Sequence, residues 1–185
     1  MSDFNQLVER EIPRLRRYAR ALTRSVDRAD DLVQDTLLRA LAKAHLWQPG
    51  TDLRAWLFTV MHNQHVNLVR RAMRDEGTVD IEQMSSSLAA TTDPTGSRQL
   101  HELERALGCL PQEQREVILL VGLEGMSYET AAEILCVPVG TVRSRLSRGR
   151  DALRRLMGLS AGMTAGSNLS QRSGPANVTA SVNAY

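Results

Sequence analysis

Hydrophobic residues recur every three or four positions along most of this chain, and no long run alternates polar and apolar residues as a strand would. The spacing predicts three successive helices, over about 4–23, 25–45 and 52–74. Pro13 lies inside the first and is expected to kink or restart it, because its ring removes a backbone hydrogen bond. The first part of the chain is therefore predicted to be entirely helical.

Shorter helical segments follow further along the chain. Pro111 ends one helix and can occupy the first turn of the next. Ser127 is placed to cap a short helix over Tyr128 to Leu135, and a tight turn at 136–138 leads into a final helix over 139–157. A short helix, a tight turn and a second helix follow one another here, as they do in a helix-turn-helix motif.

Two stretches lack this periodicity. Residues 75–97 contain runs of Ser and Thr, which predicts a flexible linker, and helical spacing resumes at about Ser97. Beyond Met157 the chain is rich in small polar residues and Arg172 is its only charge, which predicts a disordered tail. The predicted fold class is all-α: two small helical domains at 1–74 and 98–157, the second a winged-helix-like, four-helix helix-turn-helix domain, with a flexible acidic linker at 75–97 and a disordered tail at 158–185.

Composition narrows the class of protein further. No apolar run approaches the roughly 20 residues needed to span a bilayer, and the N-terminal stretch carries charges throughout, unlike a secretory signal. A soluble, cytoplasmic protein without membrane insertion is therefore expected. Cys109 and Cys136 lack the spacing of a zinc site or a disulfide framework, so both are predicted to be small core residues. No metal and no cofactor is expected.

Charge is distributed unevenly along the chain, although the net charge is only +2. The predicted linker carries five acids and no base, whereas the final helix carries six arginines and a single acid, Asp151. Six like charges packed this closely repel one another unless a polyanion neutralises them, and DNA is the usual partner of a helix-turn-helix. The alternative is a solvated surface helix. The arginines are Arg143, Arg145, Arg148, Arg150, Arg154 and Arg155.

The second predicted helix has two different faces. The polar face displays Leu38 among Asp31, Gln34 and Asp35, which could form a protein-docking patch with a charged rim. A solvated helix face explains the same spacing equally well. The predicted buried face comprises Ala29, Val33, Thr36, Leu37, Ala40, Leu41 and Ala44.

The third predicted helix combines amides with arginines. Asn63, Asn67, Arg70 and Arg74 share one ridge, where amides can bond to base edges and arginines can hold phosphates of a single strand. Trp56 and Phe58 could stack on an unpaired base, but a place in the core is the better-supported interpretation. The pair His62 and His65 invites a metal interpretation, which is disfavoured because no HExxH pattern or third ligand accompanies them. The predicted buried stripe comprises Leu53, Trp56, Leu57, Val60 and Leu68.

Three stretches, in this order and spacing, carry a specific resemblance. They are DRADDLVQDTLLRAL at Asp27 to Leu41, DLRAWLFTVMHNQHVNLVRR at Asp52 to Arg71, and LPQEQREVILLVGLEGMSYETAAEILCVPVGTVRSRLSRGRDALRRL at Leu110 to Leu156. Over roughly residues 5–157 the sequence resembles the alternative RNA polymerase sigma factors of the extracytoplasmic-function family, or group IV. One stretch alone would be much weaker evidence, because helix-turn-helix modules occur in many regulators.

The resemblance implies partners and sites. In that family the helix matching 27–44 docks on the clamp of the largest subunit of core RNA polymerase, which would give Asp31, Gln34, Asp35 and Leu38 a partner. The next helix opens and reads the minus-ten element of promoter DNA, and the last helix reads the minus-thirty-five element. The implied minus-ten contacts are Asn63, Asn67, Arg70 and Arg71. The implied minus-thirty-five contacts are Arg143, Ser144 and Arg148, with Arg145 and Thr141 in support.

The resemblance also implies that another protein regulates this one and that the chain itself is not catalytic. Family members are commonly held inactive by an anti-sigma factor packed between their two domains, and their linker threads through the polymerase toward the RNA path. The chain offers no nucleophile-base pair, metal cluster or Gly-rich phosphate loop, so a non-catalytic protein is expected.

Two competing hypotheses are a stand-alone helix-turn-helix regulator and a sigma-like decoy that binds an anti-sigma factor but not DNA. The docking face argues against the first and the arginines of the last helix against the second.

Overall fold

The computed structural model describes residues 2–75 and 94–159, and every regular element within those ranges is a helix. Most of the predicted linker and tail, at 76–93 and 160–185, lies outside the described residues. The first domain contains α1 (Ser2–Thr23), α2 (Val26–Ala42), a 3-10 turn (Ala44–Leu46) and α3 (Leu53–Asp75). The second contains α4 (Pro94–Gly108), α5 (Gln112–Ile118), a π-helical turn (Leu119–Leu123), α6 (Tyr128–Leu135) and α7 (Val139–Leu156).

The first helix, α1, runs through Pro13 as one element, so the expected restart at Pro13 is wrong. Pro13 lies on the exposed side of the helix, where water can bond to the carbonyl group that the proline leaves without a partner. Val8 and Leu15, on either side of it, are both buried in the core. Burial of this apolar stripe stabilises the helix on both sides of Pro13.

The second helix, α2, begins after Ser25, whose hydroxyl accepts a hydrogen bond of 3.4 Å from the backbone N–H of Arg28. It ends at Ala42, before the predicted end near residue 45, and the 3-10 turn follows. Leu41, assigned to the buried face by its spacing, is 47% exposed in this last turn. Leu32, which that assignment omitted, is fully buried.

The third helix, α3, supplies an aromatic contact to the core. Phe58 is buried and meets Tyr18 of α1 edge-on, with 5.0 Å between the ring centroids, which confirms the core interpretation for Phe58. Trp56 is half-buried beside Phe4. Leu68 was predicted to be buried but is 40% exposed, because the C-terminal turns of α3 extend beyond the helices that cover its beginning.

The helix-turn-helix forms where the sequence predicts it. The Ser127 hydroxyl accepts a hydrogen bond of 3.0 Å from the backbone N–H of Thr130 and caps α6. Cys136 ends α6 in the left-handed conformation, with φ 52°, and α7 follows within three residues. Cys136 and Cys109 are both exposed, so their predicted place in the core is wrong. Each follows a helix end, at a chain reversal that the helical period does not describe.

The final helix, α7, packs closely on α5. Val142 and Leu146 are buried as expected, whereas Leu156, in the last turn, is 51% exposed. Gly149 is also buried, and a Cβ atom there would lie 2.6 Å from Cδ1 of Ile118 on α5. A residue without a side chain therefore sets the close approach of these two helices.

The two domains lie in contact, and their buried apolar residues form one cluster. The first helix of the helix-turn-helix, α6, packs against α3, and the π-helical turn packs against α1. In the second domain α4 begins at Pro94, so the last residues of the predicted linker are helical. This contact brings polar groups of both domains together.

Candidate functional site

Three of the residues predicted to contact the minus-thirty-five element form one exposed group on α7. Arg143, Ser144 and Arg148 are all exposed. The Ser144 hydroxyl donates to the carbonyl oxygen of Thr141 at 3.0 Å, and Nε of Arg148 donates to the carbonyl oxygen of Ser144 at 3.2 Å. These bonds hold the Arg148 side chain along the helix surface, so its guanidinium lies beside the serine.

Arg145 and Arg143 have partners within the second domain. Nη2 of Arg145 lies 2.8 Å from Oε2 of Glu113 on α5, and the arginine side chain is 19% exposed. The guanidinium of Arg143 lies over the ring of Tyr128 on α6, 5.9 Å from its centroid. Arg145 thus braces α7 against α5, whereas Arg143 keeps an exposed position.

Further arginines surround a shallow cavity of about 580 Å³ beside Arg148. Arg154 and Arg155 join Arg148 in its lining, and Asp151 forms an ion pair of 2.9 Å with Arg154. Three arginines and one acid line this concavity, which leaves an excess of positive charge next to the exposed group on α7. This electrostatic arrangement suits a phosphate backbone.

The amide and arginine ridge lies on the solvent-facing side of α3. Asn63, Asn67, Arg70 and Arg71 are all exposed. Arg74 folds back along the helix and donates from Nε to the carbonyl oxygen of Arg70 at 3.2 Å. The structure therefore brings the four residues predicted to contact the minus-ten element to one accessible surface.

The predicted docking face on α2 is exposed in the same way. Asp31, Gln34 and Asp35 are exposed, and Leu38 among them is 67% exposed. The neighbouring Arg39 donates to Oε1 of Gln64 on α3 at 3.4 Å. An exposed leucine with two aspartates and a glutamine beside it is available there for contact with another protein.

Sequence reasoning missed two buried carboxylates between the domains. The side chain of Glu124 is 0% exposed, and its oxygens lie 2.8 Å from Nη2 of Arg17 and 3.2 Å from Nη2 of Arg54. The Arg54 guanidinium also donates to the backbone carbonyl of Glu124. A signal was present in the spacing, because Glu116 and Glu124 lie four residues before and after the buried Leu120.

Glu116 is held by groups from both domains. Nε2 of Gln112 donates to its Oε1 at 2.8 Å, and the Nδ1 atoms of His62 and His65 on α3 each lie 3.4 Å from one of its oxygens. Burial acts to raise the pKa of Glu116, but interactions with His62, His65 and Gln112 outweigh it and lower the pKa to about 2. Glu116 is therefore an anion facing α3.

Arg115 and Tyr18 complete this contact. Arg115 donates to the carbonyl oxygens of Gly108 and Leu110 at 2.9 Å and, across the domains, to that of Leu22 at 3.2 Å. Burial, with the nearby Arg24 charge, lowers the pKa of Arg115. Burial, followed by repulsion from the carboxylates of Glu116 and Glu124, raises the pKa of Tyr18 well above its usual value. Tyr18 is therefore neutral where the domains meet.

Two classes of site were searched for in the described ranges. In residues 2–75 and 94–159 no helix is both long and apolar enough to cross a membrane. The same ranges contain no group of three or more His, Cys, Asp or Glu side chains arranged to hold a metal ion.

Comparison with known proteins decides the family. The Sigma2 domain of PhyR matches residues 8–62, and the region 4 domain of Sigma-70 matches residues 100–153. The chain is 43% identical over 146 residues to the ECF RNA polymerase sigma factor EcfG of Rhodopseudomonas palustris, covering 79% of this chain and 80% of that protein. The chain belongs to the ECF sigma factor family. It is an alternative sigma factor that directs promoter-specific transcription.

Solved structures agree with this family and with the all-α, two-domain fold class. The sigma factor RpoE of Bartonella quintana, solved in complex with the anti-sigma factor NepR, is 39% identical, with a TM-score of 0.76. The match covers 86% of this chain and 99% of that one. CnrH, solved with the cytosolic domain of CnrY, is 29% identical over 85% of this chain and 89% of that one, with a TM-score of 0.63. One relative of this chain, with the same fold class, therefore binds an anti-sigma factor.

Proposed function

We propose that this sigma factor divides promoter recognition between two exposed surfaces. Arg143, Ser144 and Arg148 on α7 contact minus-thirty-five duplex DNA, with Thr141 at the start of the helix. The observation that carries this proposal is the exposure of these three residues beside the arginine-lined cavity. Arg145 supports the surface through its ion pair with Glu113.

The second surface is the ridge of α3. Asn63 and Asn67 present amides to the exposed bases of the minus-ten element, and Arg70 and Arg71 hold the phosphates of the opened strand. Their common position on the solvent-facing side of α3 supports this assignment. The protein itself is a non-catalytic specificity subunit, and RNA synthesis takes place on the polymerase.

The docking face on α2 binds core RNA polymerase at the clamp of its largest subunit. Leu38 supplies the apolar centre of that contact, and Asp31, Gln34 and Asp35 form its polar rim. An anti-sigma factor is a second protein partner of this chain, as NepR is for the sigma factor RpoE of Bartonella quintana. A protein that binds both domains would keep the polymerase from them.

Reconstitution with core RNA polymerase tests the proposed function. The full chain should produce promoter-dependent transcripts from a template carrying the promoter mapped after its overexpression. Asp35→Arg should reduce binding to the core enzyme at least about ten-fold, since it reverses a charge in the docking rim. The same variant should bind the isolated minus-thirty-five duplex as the unmodified protein does.

The control for Asp35→Arg is Glu9→Arg, at an exposed acid on α1. It makes the same charge change outside α2. Equal loss of core binding in both variants would refute the assigned face. Equal loss of core and duplex binding by Asp35→Arg would mean that the change acts through the fold.

A further inference from the structure

The guanidinium of Arg143 on α7 meets the other helix of the helix-turn-helix. It lies over the aromatic ring of Tyr128 on α6, with Cζ 5.9 Å from the ring centroid, which is within the range of a cation–π interaction. In the part of the chain that the structure describes, this guanidinium forms no hydrogen bond and no ion pair. Its N–H donors are therefore available to a molecule outside the protein.

The two other arginines of the minus-thirty-five surface are held through their N–H groups. Arg148 donates from Nε to the carbonyl oxygen of Ser144 at 3.2 Å, and Arg145 pairs with Glu113 at 2.8 Å. Such contacts use donors that a base would otherwise receive. A contact with a ring restricts the position of the guanidinium without using these donors. Arg143 is thus the arginine of this surface that is both oriented and free to donate.

The ring of Tyr128 is itself held in place. Tyr128 is the first residue of α6 and follows Ser127, whose hydroxyl accepts a hydrogen bond of 3.0 Å from the backbone N–H of Thr130. The tyrosine is half-buried and packs against the hydrophobic core. An aromatic side chain has only two rotatable bonds, so burial of one side leaves it few other positions. The ring is therefore a fixed support for the arginine.

We propose that Tyr128 is a positioning residue, which orients the guanidinium of Arg143 to read the edge of a guanine in the minus-thirty-five element. The inference rests on the proposed contact of Arg143 with that element and adds a supporting residue and a base to it. Arginine recognises guanine through two hydrogen bonds, to O6 and N7. Arg143 lies in the second turn of α7, and the N-terminal part of a recognition helix contacts base edges.

Orientation matters because a two-bond contact requires the planar guanidinium to match the base edge. A cation–π contact at an exposed site is worth about a two- to five-fold change in affinity. Loss of the ring should therefore weaken binding to a duplex that contains the guanine by about that factor. Binding to a duplex without this guanine should change much less. A tyrosine that served only the core would weaken binding to both duplexes equally.

Titrations of labelled duplexes with the full chain test this inference. One duplex carries the minus-thirty-five sequence of the promoter mapped after overexpression, and in the others each G·C pair in turn is replaced by A·T. Arg143→Ala should identify the guanine as the position whose replacement no longer lowers affinity. Tyr128→Leu should reduce the effect of replacing that guanine about two- to five-fold. Tyr128→Phe is the matched control, because it keeps the ring and should retain most of the discrimination.

A double-mutant cycle separates positioning from folding. With Arg143→Ala already present, Tyr128→Leu should have little further effect on duplex binding. With Arg150→Ala present instead, at another exposed arginine of α7, it should keep its full effect. Circular dichroism monitors the helical content of each variant. If the leucine variant does not fold, Tyr128→Met takes its place, since a flexible side chain fills irregular gaps in a core.

Three results would overturn the inference. Equal effects of Tyr128→Leu with and without Arg143 would show that the tyrosine acts through the fold. A loss of discrimination in Tyr128→Phe as large as in Tyr128→Leu would show that the ring does not orient the arginine. Either result would leave the assignment of Arg143 to the DNA surface standing. Full affinity of Arg143→Ala for every duplex would contradict that assignment itself, and the inference would fall with it.

Discussion

The arginines of α7 and the two buried glutamates between the domains, Glu116 and Glu124, are charged residues in opposite situations. Arg143 and Arg148 are exposed and held only by contacts within their own domain. Glu124 and Glu116 are buried and reach their basic partners in the other domain. Exposed charges that repel one another favour an external polyanion, whereas buried charges already have their partners. The first set therefore serves recognition and the second serves the arrangement of the domains.

Removing an exposed arginine should give the largest effect on DNA binding and little effect on the fold. Arg148→Ala should lower affinity for the minus-thirty-five duplex about ten-fold or more, since a contact of this kind contributes about 1–3 kcal/mol. Titration of a labelled duplex at fixed salt measures the loss. The midpoint of thermal unfolding should stay unchanged.

Arg150→Ala is the control for that prediction. Arg150 is an exposed arginine on the same helix, but it lies on the opposite face from Arg148 and two turns beyond Arg143. Its loss should weaken duplex binding much less. Equal losses for the two variants would mean that only the total charge of α7 matters, and the distinction drawn for Arg148 would disappear.

Neutralising a buried glutamate should instead affect stability, in a pH-dependent way. Interactions with α3 depress the pKa of Glu116 to about 2, so its charged form stabilises the fold above the unfolded pKa of about 4.3. Glu116→Gln should cost about 1–2 kcal/mol at pH 5, measured by urea unfolding. The difference from the unmodified protein should shrink as the pH falls from about 4.5 toward 2.

Glu133→Gln supplies the control, because that glutamate is exposed on α6. It should change the unfolding free energy little at any pH in this range. A constant difference between the Glu116→Gln variant and the unmodified protein from pH 5 to pH 2 would contradict the depressed pKa. The stabilisation would then arise from packing of the side chain and not from its charge.

The helices were predictable because each of them buries one apolar face. The spacing that predicted α2 follows from burial of residues such as Ala29 and Val33. The residues wrongly assigned to a buried face lie toward helix ends: Leu41, Leu68 and Leu156 keep the helical period but lie where other helices no longer cover them. A one-dimensional pattern shows which face of a helix is apolar, but not how far the covering elements extend.

The exposed surfaces were predictable from residue type and spacing, whereas the contacts of Glu116 and Glu124 with the first domain were not. Arg148 stands among other arginines on its own helix, so its charge is visible locally. Arg54 and Glu124 are 70 residues apart, and only the packing of the two domains brings them together. Glu116 shares a helical stripe with Leu120, which marks it as buried without naming a partner. Identifying the partner requires the tertiary structure.

Substitution of Arg145 should have the smallest effect of these changes. It tests whether Arg145 belongs with the exposed arginines or with the charges that already have a partner in the protein. Arg145 lies on the DNA-facing helix, yet its guanidinium pairs with Glu113 at 2.8 Å. Arg145→Ala should lower the unfolding free energy by about 0.5–1 kcal/mol, a modest value because the Glu113 side chain is 68% exposed. A double-mutant cycle with Glu113→Ala should recover most of that loss as coupling between the two residues. Duplex affinity should fall less than it does for Arg148→Ala. If Arg145→Ala leaves stability unchanged but weakens duplex binding as strongly as Arg148→Ala, Arg145 leaves the carboxylate to bind DNA and belongs with the exposed arginines.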